Sequence, residues 1–423
     1  MMSTMAISVL LCLHTDARGG AEEHALELLN GLDRQLFRPH LACTPQLAEL
    51  LQRDLAADVE VFRLTLDSVT HFAGARKLAR ILRTRKIQIL HSHQFRASLF
   101  ASPIGRLCGV PVIVETSHGR EVWRKGLLRS RFFVDHLVAQ CVDRFIAVSE
   151  ATARHLIEKK GIPEHKISVI RSAIDLRKFD PNRPAPSGMK RSMGFAEGDP
   201  VLVVLGRLEP QKGHRVLIEA MPQVIQEFPT ARLVCLSYGS LRAELEELVA
   251  ERDLIRNVRF VGRQPDVRDW LALAEFTVLP SFYEGLPLAA IESLAAGRPI
   301  VATAVDGTPE VVLDGETGLT VPPGDPEALA KAIRRMLREP EWARSSARIG
   351  REFVLQNFSI DKLLQATEEL YLRAWQAKTG FAHHPHEVPR SSPTTEVRGT
   401  SPNAGDTQYR RGWKTIVEER EKA

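Results

Sequence analysis

Residues 201–227 read VLVVLGRLEPQKGHRVLIEAMPQVIQE. The five residues Val201 to Leu205 make an apolar run of strand length, Gly206-Arg207 ends it, and from His214 to Glu227 the apolar positions recur at helical spacing. A strand, a polar loop and a helix in this order form the repeating unit of parallel sheets with helical crossovers. Toward the C-terminus the unit recurs, with strands expected at 233–236, 258–261, 276–279 and 300–304 and helices at 241–251 and 288–296. Toward the N-terminus the pattern stops between 177 and 200, where Pro181, Pro184, Pro186, Gly188 and Gly198 mark a linker. Before that linker lies a first series, with strand runs at 6–13, 41–44, 88–91, 112–115, 144–148 and 167–174 and helices at 22–32 and 47–55.

The expected fold class is α/β: two Rossmann-like, doubly wound parallel-sheet domains facing a central cleft. The boundaries follow the pattern: a first domain over 1–180, a linker over 181–199, a second domain over 200–357 and a crossover helix over 358–378. From 379 to 423 the chain is rich in Pro, Ser, Thr, Gly and Asn, the composition of a disordered tail.

Composition agrees with a large globular chain. Of 423 residues 44% are hydrophobic, and 57 Lys and Arg barely exceed 52 Asp and Glu, a net charge of +5. That balance excludes a nucleic-acid footprint and suits anionic small molecules or lipid headgroups. Cys12, Cys43, Cys108, Cys141 and Cys235 are scattered singly, without the spacing of a zinc or redox motif, and read as reduced core residues of a cytoplasmic protein. The first fourteen residues have no basic flank or small-residue cleavage site, and no stretch approaches the ~18 apolar residues of a membrane span.

In open α/β sheets, ligands bind beyond the carboxyl ends of the strands, so the residues there carry the functional reading. Gly19-Gly20 after the first strand makes either an anion site at a helix start or a plain tight turn. His118, beside Gly119 at another strand end, is either a cleft residue or a structural histidine. After Gly206, the fork of Arg207 and the point charge of Lys212 suit a pyrophosphate leaving group, against the reading of two solvated charges. The sharpest signal is Pro280-Ser281-Phe282-Tyr283-Glu284-Gly285-Leu286-Pro287. Pro287 is expected as the first helical residue, leaving the amides of Gly285, Leu286 and Leu288 to hold phosphate or sugar oxygens. Glu292, inside that helix among apolar neighbours, needs hydroxyl partners such as a ribose diol, or an internal pair.

Taken together, Gly-Gly-Ala-Glu at 19–22, Ser-His-Gly at 117–119, Val-Ser-Glu at 148–150, Gly-Arg-Leu-Glu-Pro-Gln-Lys-Gly at 206–213 and the 280–287 motif with Glu292 resemble glycosyltransferase family 4. These are retaining enzymes of the GT-B fold, and the resemblance runs over residues 6–377. It implies that Arg207 and Lys212 hold a donor diphosphate, Glu292 the ribose, and Glu284 with the following amides the transferred sugar. It also implies that His118 lies near the anomeric carbon and that Gly19-Gly20 line the acceptor side, with no metal or cofactor. Gly239, in Ser237-Tyr238-Gly239, stands for the family's glycine pair, while Arg171-Ser172-Ala173-Ile174-Asp175 and Glu275 depart from the family pattern and bear on base and sugar preference.

The implied partners are a UDP-, GDP- or ADP-linked sugar and a glycan or lipid-linked acceptor. The basic and aromatic stretch 123–133 reads either as a peripheral contact with an anionic membrane surface or as an ordinary amphipathic helix. The rival functions are an epimerase or phosphorylase of the same fold and a noncatalytic sugar-nucleotide-binding subunit. A glycosidase is excluded, because Glu284 and Glu292 on one helix start cannot flank a bond from opposite sides.

Overall fold

A computed structural model describes residues 6–66, 72–120, 133–264 and 266–380. The stretch 123–133, apart from Phe133, and the tail beyond Gly380 lie outside the described residues.

The strands of the first half are β1 (Ile7–Cys12), β2 (Phe37–Cys43), β3 (Glu60–Arg63), β4 (Ile89–His93), β5 (Val112–Ser117), β6 (Arg144–Ala147) and β7 (Ile167–Val169). Those of the second are β8 (Val201–Leu205), β9 (Arg232–Leu236), β10 (Val258–Gly262), β11 (Phe276–Leu279), β12 (Ile300–Thr303) and β13 (Leu319–Val321). They form two wholly parallel sheets, ordered β3-β2-β1-β4-β5-β6-β7 and β10-β9-β8-β11-β12-β13. Every residue of β1 and β8 is buried, because helices cover both faces, and such strands are unbroken apolar runs rather than alternating ones. In each sheet the order reverses beside the first strand, between β1 and β4 and between β8 and β11. Those two switch points are where α/β sheets leave room for a ligand.

Each sheet carries a hydrophobic layer on each face. The last helix, Ile360–Thr379, follows the second half in sequence, yet its Leu363, Leu364, Tyr371 and Ala374 join the layer of Ile7, Val9 and Leu11 in the first. The chain thus passes between the halves twice, and the passes touch where Ile174 pairs with Ser359 in an isolated parallel bridge. Ser359 starts this helix, its hydroxyl accepting from the Lys362 amide. The cysteines require a correction: Cys12, Cys43 and Cys235 are buried, but Cys108 and Cys141 are only half-buried, at helix ends. Among the described residues no helix is long and apolar enough to cross a membrane.

Candidate active site

The site is built from loops at the carboxyl ends of β8 and β11. Gly206 and the exposed Arg207 leave β8, and a short 3-10 turn, Pro210–Lys212, carries the chain to Gly213, whose φ of +65° starts the helix His214–Glu227. A Cβ on Gly213 would stand 1.9 Å from the Pro280 carbonyl oxygen, so only glycine lets the two loops close on each other. The Gln211 carbonyl accepts from the Phe282 amide at 2.8 Å, and the Gln211 side chain donates to the Tyr283 carbonyl at 2.9 Å. These bonds bring Lys212 to Glu284. Lys212 Nζ lies 2.6 Å from Glu284 Oε1, which also accepts from the Ser281 hydroxyl at 2.7 Å. The pair is largely withdrawn from water, with side chains 18% and 7% exposed.

After Glu284 the chain runs through Gly285 and Leu286 into the helix Leu288–Ala295. Pro287 is its N-cap, with φ −76° and ψ 103°, so the helix begins one residue later than a first helical Pro287 implies. The first amides of the helix still lack intrahelical acceptors, and its dipole still favours an anion. Glu292 stands one turn inside, half-buried; burial pushes its carboxyl up to about 8, helped by the nearby Glu23 carboxylate. A Cβ on Gly239 would stand 2.2 Å from the Leu208 carbonyl oxygen, so this glycine seats the Arg207–Leu208 loop.

The first half closes over these loops. Gly119 has φ +109°, and a Cβ on Gly285 would stand 2.2 Å from the His118 carbonyl oxygen. The two loops therefore meet backbone to backbone. Asp306 reinforces the meeting: one oxygen accepts from the Glu284 amide at 3.1 Å and the other from Arg120 at 2.7 Å. Glu310 adds a second tie, accepting from the Ala151 amide at 3.1 Å and from Arg171 at 3.3 Å. Gly20, which begins the helix Gly20–Gly31, abuts Leu288 of the helix Leu288–Ala295, where an added Cβ would lie 3.6 Å from Leu288 Cδ1. The Gly19 amide is already taken by the Glu22 carboxylate at 2.8 Å and is not open to an anion. Burial lifts Glu22 to about 7 against the opposing pull of its amide partners and of Arg207.

His118 belongs to a layer of four imidazoles. It shares a hydrogen bond with His93 across 3.1 Å, and its ring lies 5.0 Å from that of His24. His93 and His91 are neighbours along β4, with ring centroids 4.4 Å apart, and His91 is held by Tyr371 of the last helix at 2.5 Å and Thr116 at 2.7 Å. Burial pushes His24 down to about 4 and His91 down to about 3, and it holds His93 and His118 well below the ordinary imidazole value, neighbouring imidazoles adding to the effect. All four are neutral near pH 7.

The structure thus gathers Gly206, Lys212, Glu284, Gly285, Leu286, Leu288 and Glu292 on the second half and sets His118 and Gly20 against them. Arg207, exposed, acts on Glu22 in the first half and on Tyr283 in the second. Sequence reasoning missed Asp306, Arg120, Glu310, His24, His91 and His93. Only the histidines left a signal, His91 and His93 being alternate residues at a strand end and so on one face.

Comparison with known proteins bears on the family and the fold. Family models described as Glycosyltransferase Family 4 and Glycosyl transferases group 1 match residues 18–178 and 199–339. A glycogen synthase of Mycobacterium tuberculosis is 30% identical over 301 residues, covering 69% of this chain and 70% of that protein. A GDP-mannose-dependent phosphatidylinositol monomannoside mannosyltransferase of Corynebacterium glutamicum is 28% identical, covering 75% and 85%. Among solved structures, Anabaena HepE in complex with UDP and glucose superposes with a TM-score of 0.74 at 18% identity, over 86% of this chain and 99% of that one. With both halves matched in order and the fold shared, the chain belongs to glycosyltransferase family 4 and is a glycosyltransferase of the GT-B fold.

Proposed function

We propose that the protein is a retaining glycosyltransferase that moves a hexosyl unit from a nucleotide diphosphate sugar to a glycan or lipid-linked acceptor in the cytoplasm. The observation that carries this reading is the Lys212–Glu284 pair at 2.6 Å, held at the start of the helix Leu288–Ala295 with Glu292 one turn further in. An ammonium has three donors, and Glu284 engages one, so Lys212 keeps others for a phosphate oxygen while Glu284 keeps lone pairs for sugar hydroxyls. The names of the similar proteins support a nucleotide-linked donor and a glycan or lipid acceptor: one uses GDP-mannose on a phosphatidylinositol mannoside, and another holds UDP and glucose.

In this account the donor diphosphate meets Arg207, Lys212 and the amides around Gly285, Leu286 and Leu288, and the ribose diol meets Glu292. As the glycosidic bond breaks, negative charge grows on the leaving phosphate oxygen and positive charge on the anomeric carbon. The two cations stabilise the first more strongly in the transition state than in the ground state, without a metal or organic cofactor. The acceptor hydroxyl attacks from the leaving-group face and passes its proton to the departing phosphate, so configuration is retained. His118, neutral, orients the sugar or acceptor rather than serving as an obligatory base, and Gly19-Gly20 with His118 border the acceptor. Gly239 shapes the nucleotide side through the loop it seats.

Thermal-shift titration with UDP-, GDP- and ADP-sugars tests the donor class. A true donor at ~100 times its dissociation constant adds about 2.7 kcal/mol of stability. No stabilisation by any of the three classes refutes the reading.

A further inference from the structure

At the end of the first sheet opposite the candidate site lies a cavity of about 360 Å³, lined by Arg106, Asp143, Arg144, Lys166 and Lys378 with Ala374 and Ala377 as its apolar wall. Asp143 and Arg144 stand at the start of β6, Lys166 just before β7, and Arg106 and Lys378 at the ends of the helices Phe95–Leu107 and Ile360–Thr379. Four cations face one carboxylate. Asp143 is already engaged at both oxygens: Lys378 lies 2.8 Å from one, and the other accepts from Arg106 at 2.8 Å and from the Ile113 amide at 2.9 Å.

Among the described residues, the remaining positive charge has only carbonyl oxygens for partners. Lys166 Nζ donates to the carbonyls of Ala139 and Val142 at 3.0 and 2.8 Å, and Arg144 donates to the Asp143 carbonyl at 3.0 Å. Burial lowers the Lys166 pKa, and Arg106, Lys378 and Arg144 lower it further against the single opposing pull of Asp143. Arg144 engages one of its five donors in that bond, and Lys166 two of three, so donors remain for a ligand. An excess of three positive charges around a cavity of small-molecule size is the complement of a phosphate group, and Arg forks match its oxygens two at a time.

We infer that this cavity is an anion site for a phosphate monoester or diester, separate from the donor site and placed at the seam between the last helix and the first half. A ligand there would tie Lys378 of the returning helix to Arg144 and Lys166 of the sheet. The phosphate could come from a soluble phosphorylated molecule or from an acidic lipid headgroup; the recognising chemistry is the same.

The test is local. Hydrogen exchange of the peptides around 139–144 and 374–379 is followed as inorganic phosphate or glycerol phosphate is added, with chloride at matched ionic strength as control. Cosedimentation with phosphatidylglycerol and with phosphatidylcholine vesicles forms the second arm. Wild type is compared with an Arg144→Gln, Lys378→Gln variant; both side chains lie outside the transfer site, so basal transfer should be unchanged. Phosphate-specific protection that weakens about tenfold or more in the variant supports a soluble ligand. A preference for phosphatidylglycerol that the variant loses supports a headgroup. Neither protection nor vesicle preference in the wild type, or both unaltered in the variant, overturns the inference.

Discussion

His93 and His118 share a single hydrogen bond, Nδ1 to Nε2 at 3.1 Å, in which one ring donates and the other accepts. Both are neutral, as are His24 and His91 beside them, because burial opposes a charge on each ring. An unfolded histidine titrates near about 6.5. The folded values lie lower, so as pH falls below that point the unfolded chain takes up protons that the folded chain refuses. Their stabilisation is complete above about pH 6.5 and is lost toward the folded values of about 4 for His24 and about 3 for His91. Glu22 and Glu292, raised to about 7 and about 8, act oppositely: their contribution is present in acid and lost as pH climbs through those values. The melting temperature should therefore peak near about pH 6.5, with His24→Gln flattening the acid arm and Glu292→Gln the alkaline arm. A melting temperature that rises steadily from pH 5 to 8 contradicts this.

Glu292 makes a second pH prediction, about binding. To accept both ribose hydroxyls it must be ionised, yet alone it is held at about 8. Donor binding near pH 7 should release a proton, and affinity should rise from pH 6 to 8. Calorimetry in buffers of different ionisation heats reads the proton directly. Glu292→Gln should abolish the release and weaken donor binding by roughly 1.5–3 kcal/mol. Unchanged affinity with a large loss of stability would assign Glu292 a structural role.

Breaking the Lys212–Glu284 pair separates stability from turnover. Lys212→Ala leaves a largely buried carboxylate with, among the described residues, only Ser281 as a side-chain partner, and the loss of stability should fall at the low end of the about 3–5 kcal/mol seen for broken buried pairs. Adding Glu284→Gln removes the stranded charge and should restore most of that stability. Turnover should not recover, remaining 10²–10³ lower, the order typical of a lost transition-state contact. A double variant with wild-type turnover would show the pair to be structural.

How far the site was legible in the sequence follows from what each residue touches. The spans of β8, β11 and the helix His214–Glu227 were readable to the residue, because a doubly covered strand is a continuous apolar run and a helix repeats its own spacing. Two edge strands were not: β3, Glu-Val-Phe-Arg, is short and charged at both ends, and β13 has three residues. Lys212 and Glu284 were visible because each sits in a loop whose glycines and prolines mark a turn. Asp306 and Arg120 were invisible, since Asp306 lies in no motif, Arg120 lies just past Ser-His-Gly, and their pairing exists only when the two halves meet.

That meeting gives a further prediction. Gly285→Ala would drive a methyl into the His118 carbonyl oxygen, at 2.2 Å in the present geometry, and so should prop the halves apart while leaving each sheet intact. Scattering should show a molecule more extended than the wild type, with turnover largely lost. Asp306→Ala should have a milder effect of the same kind, whereas Arg120→Ala, with its side chain 59% exposed, should change stability by no more than about 1 kcal/mol. Normal turnover and wild-type dimensions in Gly285→Ala would contradict the close approach.

In front-side transfer the configuration is retained while Arg207 and Lys212 stabilise the leaving diphosphate. The most direct measurement is proton NMR of the first-formed product from an α-linked nucleotide sugar, reading the anomeric coupling before the product can equilibrate. Front-side transfer gives an α-linked product; a β-linked product would contradict it.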